Sequence, residues 1–404
     1  MAKGGRKIYR TSANHRKKRT RKVLKVILVI ILLAVLVFLG YSIAKPIHNY
    51  ILNKTGENVT EDEVWTPPVV TEKTEETATE ENETAETVKP PEEEAPAENK
   101  FSAYQLPITA LESQDALVTA LNNVKDSGYT AVTVPLKARG GKIYYNTTSE
   151  LAKTSEDAIA GTMFAGQISS VIRSNGFIAI AYVNLLEDNN RYGESRKGSY
   201  RIASDDSTWL DNAPSKGGKP WLSPFETDTQ EYVKFISSEI AGAGFDYVVF
   251  DGAMFPAFRN SDLSYIGEKV KSETRYKALI NITAIAAEAV KSTNATAILS
   301  VSAADILAGT EEVFKPSELN FEMLAVEFVP SELPAIALIN NEEVALAELP
   351  ANNRAFVVFS EIQRLAGDNV TIVPVLKQSD FSQADFNETI TAILSLDCES
   401  YIIQ

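Results

Sequence analysis

Between residues 101 and 404 the chain alternates short apolar runs with amphipathic stretches, and that alternation narrows the folds open to it. Eight runs read as strands, at 103–108, 129–136, 177–184, 246–250, 296–302, 323–329, 370–376 and 400–403. Helical patterns separate most of them. Ser113 caps one that runs to about residue 127, with Leu117, Val118, Leu121 and Val124 on one face, and Gly128 stops it. Others lie at 162–174, 229–243, 276–292, 354–366 and 385–396. Strands that are apolar almost throughout suit a parallel sheet covered on both faces. Strand–helix alternation sustained over some 300 residues predicts a (β/α)8 TIM barrel rather than an open doubly wound sheet. No Gly-x-Gly-x-x-Gly follows the first strand and no Walker pattern occurs, which argues against a nucleotide-binding fold.

The residues before the barrel have a different texture. Residues 1–22 are a basic tail, and the first 25 residues hold eleven Lys and Arg and no acid. Residues 23–44 are apolar, with about 19 residues after Lys25, close to the ~20 that cross a bilayer as a helix. Basic residues on the N-terminal flank place that flank in the cytoplasm. Ser42-Ile-Ala44 also resembles a signal-peptidase site, so a cleaved leader is the competing reading. The long basic region and long apolar run favour an uncleaved anchor. Residues 45–100 form a linker that from about residue 53 to 99 is rich in Glu, Thr, Pro and Ala, with Trp65 as the aromatic exception, a composition that predicts a disordered tether. The expectation is a single-pass membrane protein with residues 101–404 outside the cytoplasm.

The net charge of −15 speaks against nucleic acid as a partner of the barrel, because phosphate binding needs a basic face. The single cysteine, Cys398, excludes an intramolecular disulfide, and its apolar surroundings suit a buried, inert thiol. Both histidines, His15 and His48, lie outside the barrel region, which excludes Ser-His-Asp and Cys-His catalysis and a His-based metal site there. No metal and no cofactor is expected.

Chemistry in a barrel sits at the carboxyl ends of its strands. The fourth strand ends at Asp251, and Gly252 leaves room for the chain to turn. Asp305 follows the fifth strand, and Glu327 lies in the sixth, facing inward if Val326 and Phe328 face the helices. Two such carboxylates across a cleft can act as acid and nucleophile, or acid and base, on a glycosidic bond. The expected roles are Asp251 as nucleophile or base and Asp305 as acid, with Glu327 as the substitute acid if Asp305 points away. The bland alternatives are a turn cap for Asp251 or Asp305, and an ion pair of Glu327 with Lys377 or Arg354. Asn184, at the end of the third strand, and Lys377, after the seventh, are candidates for substrate contact. Trp209 and Trp221 lie in the polar loop 185–224, where they either stack on sugar rings or pin the loop to the barrel.

Trp221-Leu-Ser-Pro-Phe, a helix, Gly244-Phe-Asp-Tyr-Val-Val-Phe-Asp251 and Phe255-Pro256 resemble the central run of a glycoside-hydrolase-like barrel family of bacterial envelope proteins. Ala103-Tyr-Gln, Ser302-Ala-Ala-Asp305, Val329-Pro-Ser331 and Val373-Pro-Val-Leu376 resemble further segments of it. The resemblance implies a TIM-barrel glycosidase fold, with Asp251 at the family's central aspartate and a polysaccharide or oligosaccharide as the partner. The family's Tyr-x-Arg after that aspartate is Gly252-Ala-Met254 here, its Lys-Asp-Asp is Lys137-Ala-Arg139, and the tryptophan of its seventh strand is missing. These departures keep a second reading open: a barrel that binds glycan or an envelope partner without catalysis.

Overall fold

A computed structural model describes residues 100–404 apart from 151, 154–157, 190–197, 268–271, 310–313 and 397. The basic tail, the apolar segment and the acidic tether expected at 1–22, 23–44 and 45–100 lie outside the described residues, apart from Lys100 at the end of the tether. No helix among the described residues is long and apolar enough to cross a membrane.

The barrel strands are β1 (Ser102–Gln105), β2 (Ala131–Lys137), β3 (Ile178–Asn184), β4 (Tyr247–Asp251), β5 (Thr296–Ser302), β6 (Met323–Glu327), β9 (Thr371–Leu376) and β10 (Tyr401–Ile403). All pair in parallel and close in the order β1-β10-β9-β6-β5-β4-β3-β2. Helices α1 (Gln114–Lys125), α2 (Ala165–Ser174), α3 (Thr227–Ala241), α4 (Asp262–Ile266), α5 (Ser272–Lys291), α6 (Ala303–Ala308), α7 (Ala351–Ala366) and α8 (Gln383–Ser395) connect them. A small antiparallel hairpin, β7 (Ala337–Ile339) and β8 (Glu342–Val344), is inserted between β6 and α7. This is the TIM barrel that the alternation predicts.

Period-two alternation splits each strand between two cores. Ala103, Ile180, Val249, Ile298, Ala325 and Val373 fill the barrel interior. Their neighbours Val132, Val248, Phe250, Leu299 and Val326 face outward into a second layer shared with helix residues such as Leu117, Ile168, Ile236 and Val358. Each fully buried Val, Leu, Ile or Phe among them stabilises the fold by about 1.5–3 kcal/mol, so both layers hold the strand ends in place.

The element ends follow local chemistry. Ser113 Oγ accepts the Ala116 amide at 3.1 Å and caps α1 as expected. The first strand stops at Gln105 rather than 108, because Pro107 has no N–H to give the ladder and a 3-10 turn follows at Ile108–Leu111. Three elements have no counterpart in the sequence pattern. Two are the helices α4 and α6, too short to show a period. The third is the β7–β8 hairpin, whose turn places Asn340 and Asn341 both at positive φ, 51° and 67°.

Candidate active site

Pairing in register brings four strand ends to one side of the barrel. Asn184 of β3 stands beside Asp251 of β4, and Ser302 of β5 stands beside Glu327 of β6. Asp251 shares its parity with Val249, and Glu327 shares its parity with Ala325, so both carboxylates project to the interior side. Phe328 and Val326 lie in the outer layer, the orientation on which the inward placement of Glu327 depends.

Glu327 accepts a hydrogen bond from Ser300 Oγ at 3.0 Å. Neither ion pair considered for it forms. Lys377 Nζ turns toward Asp380 at 4.0 Å, and Arg354 Nη2 donates to the Leu349 carbonyl at 2.9 Å. Burial, and next the charge of Asp251, push the Glu327 carboxyl up to about 7, against the opposing pull of the Ser300 bond and the Arg139 cation. Tyr182, buried on β3, feels the same pair: burial and then the charges of Glu327 and Asp251 hold its phenol well above the usual range.

Asp251 does not cap a helix. Its Oδ1 accepts the Gly252 amide at 2.6 Å, and its Oδ2 receives Asn184 Nδ2 at 3.5 Å, a long contact. Gly252 has φ +64°, and a Cβ there would come within 2.1 Å of Asn184 Nδ2. Glycine is therefore required both by backbone and by space, and the space belongs to Asn184. Asp305 lies past the strand end, in the first turn of α6, whose cap is Ser302 Oγ, 3.3 Å from the Asp305 amide. Burial raises the Asp305 carboxyl above its ordinary value.

Asp251, Asp305 and Glu327 line one cleft of about 530 Å3. Phe255, Phe258, Phe314 and Arg275 line it too, and sequence reasoning assigned none of these to the site. The Arg275 guanidinium lies 5.8 and 5.6 Å from the ring centres of Phe255 and Phe258. Phe255 could have been found, because it follows Asp251 by four residues. Arg275 could not, because it comes from α5 and only the fold brings it near.

The other candidate residues do not line this cleft. Trp209 is 2% exposed. It packs edge-on to Tyr200 at 5.9 Å and against Phe258 at 5.2 Å, and it does not line the acidic cleft. Trp221 is half-buried against the same aromatic cluster, and its indole N–H donates to Asp211 at 3.1 Å. Both tryptophans pin the loop rather than face the cleft. Lys377 is outside the cleft, and Asn184, 3% exposed, supports Asp251 instead of lining the cavity.

Residues 104–317, more than half of the chain, match the family model described as "Putative glycosyl hydrolase domain". The chain belongs to this glycosyl hydrolase-like family. Among solved structures, the glycoside hydrolase domain of PgaB (BpsB) from Bordetella bronchiseptica is similar at 13% identity, over 76% of this chain and 94% of that one, with a TM-score of 0.52. That similarity shows a shared fold. The catalytic domain of β-amylase from Paenibacillus polymyxa aligns at 9% identity over 75% of this chain and 92% of that one, TM-score 0.47. A hypothetical protein from Ruminiclostridium thermocellum aligns at 18% identity over 48% and 96%, TM-score 0.38. No curated protein matches the chain in sequence.

Proposed function

We propose that this member of the glycosyl hydrolase-like family cleaves glycosidic bonds in a cell-envelope or extracellular polysaccharide, with Asp251 and Glu327 as the working carboxylates. The observation that carries the reading is the pairing of an inward Asp251 with a protonatable Glu327 in one cleft. A glycosidase needs one carboxyl that keeps its proton near neutral pH and one that stays ionised. Glu327 suits the first part: burial and the neighbouring charge favour its neutral form. It donates its proton to the leaving oxygen. Asp251, held by the Gly252 amide, attacks the anomeric carbon or activates a water. Asp305, more exposed on α6, serves as the acid only if substrate reaches across the cleft to it. The rings of Phe255, Phe258 and Phe314 supply flat apolar surface for sugar rings, the part first considered for the tryptophans.

The same reading places the protein on the membrane through residues 23–44, with the barrel on the extracytoplasmic side. Its support is the basic flank and the spanning-length apolar run.

The test is a screen of the protein against envelope and extracellular polysaccharides, scored for new reducing ends. Asp251→Asn and Glu327→Gln should each abolish hydrolysis and leave glycan binding in place. Binding without cleavage by the unsubstituted protein would favour the non-catalytic barrel, and unimpaired turnover by Asp251→Asn would sink the assignment of that residue.

A further inference from the structure

Asn184 is held on several sides. Its backbone carbonyl accepts from Lys137 Nζ at 2.7 Å, its Oδ1 accepts from the Glu187 amide at 3.1 Å, and its Nδ2 faces Asp251. Lys137 ends β2 and pairs with Asp188 at 3.1 Å, both side chains 1% exposed. Asp188 also accepts from the Tyr232 hydroxyl at 3.3 Å, and the Tyr232 ring lies 5.6 Å from Lys137 Nζ. Gly141 packs so closely that a Cβ there would fall 2.0 Å from Asp188 Oδ1. A buried ion pair contributes little net stability, because desolvation offsets most of the attraction, and a well-packed apolar pair would serve as well. What an apolar pair cannot do is grip the Asn184 carbonyl. A second observation points the same way. The β2–β3 register shifts between Pro135 and Lys137, and a bulge of this kind re-aims the side chain that follows it.

We propose that Lys137 is a positioning residue, which acts through Asn184 to hold the Asp251 carboxylate against Glu327. Lys137 clamps the backbone of Asn184, the Glu187 amide fixes the orientation of its side chain, and the remaining amide N–H group meets Asp251. The role in catalysis rests on Asp251 being a working carboxylate. The placement of Asp251 does not, and it can be read without any substrate.

Glu327 is the reporter. The groups acting on it are Asp251 on β4, Ser300 on β5, Arg139 after β2 and Glu332 after β6, and it acts in turn on Tyr182 of β3. Its titration is followed by NMR of 13C-labelled carboxyl groups in the full chain, with the resonance assigned from its loss in Glu327→Gln. In Lys137→Met, Asp251 is no longer held toward Glu327, and the midpoint should fall by about one pH unit. Lys137→Met removes one charge of a buried pair and can fail to fold. The double variant Lys137→Met, Asp188→Leu removes both charges and should show the same fall in a chain that still melts cooperatively. Asp188→Asn keeps the bond from Lys137 to the Asn184 carbonyl and should leave the midpoint where it is. An unchanged midpoint in the folded double variant overturns the proposal, as does an equal fall in Asp188→Asn. A protein that hydrolyses glycan while its Lys137 variants titrate normally loses only this inference. A protein that shows the fall and hydrolyses nothing loses the glycosidase reading and keeps the placement.

Discussion

At the scale of single residues, Glu327 sets two measurable behaviours. Its carboxyl binds its proton more tightly in the folded chain than in the unfolded one, where about 4.3 is ordinary. The fold therefore gains from the protonated form. That gain is complete below about pH 4, shrinks as pH rises, and is gone above about 7, where a charged Glu327 must be buried. Glu327→Gln keeps the shape without the charge, so at pH 8 it should be more stable than the unsubstituted protein, by up to something on the order of 3 kcal/mol. At pH 4 the two should unfold alike. Urea titrations at both values check this, and a variant less stable at pH 8 would count against the buried, uncompensated carboxylate. If Glu327 is the acid, turnover should also fall as pH rises through about 7, the opposite limb from the one set by a base. Asp251 and Glu327 were legible in sequence, because a lone acid in or after an apolar strand is costly unless it serves something. The partner of Glu327 was not. Whether Ser300, Lys377 or Arg354 meets it depends on the register of β6 with β5 and β9 and on how α7 packs, and no single-strand pattern carries that.

At the scale of elements, the strands were easier to read than the loops. A buried parallel strand announces itself by a continuous apolar run, as Tyr247–Phe250 does ahead of Asp251. The loop between β3 and α3 has no period, so nothing in it says which way its aromatics face. Trp209 and Trp221 were open to a sugar-binding reading, and the structure turns them into a small satellite core with Tyr200, Phe255 and Phe258. That core holds the wall that carries Phe255 and Phe258 on its cleft side. Trp209→Ala removes its buried indole and should cost about 3–5 kcal/mol locally, in the range for deleting a buried aromatic. The expected result is rapid amide exchange through residues 200–225, with weaker glycan binding as a consequence of the loosened wall. Phe258→Ala should weaken binding with less effect on exchange. If Trp209→Ala lowers affinity and leaves exchange untouched, the ring contacts substrate after all.

For the whole molecule, charge is distributed along the chain rather than spread evenly. Eleven of its 39 basic side chains fall in the first 25 residues, leaving 28 against 54 acidic ones in the remainder. Such asymmetry around a run of spanning length is what orients a single-pass protein, because the basic flank stays on the cytoplasmic side. The barrel would then face the polysaccharides of the envelope, which is where a glycan-cleaving site has substrate. The prediction is that protease added to intact cells removes the barrel and leaves residues 1–22 protected, detectable with a tag at the N-terminus. A barrel that resists protease until the membrane is broken would put it on the wrong side for this function. Release of a soluble barrel whose first residue lies just after Ala44 would show that residues 23–44 act as a cleaved leader. The site would still face outward, but nothing would tether it, and hydrolysis would be found in the medium rather than at the cell surface.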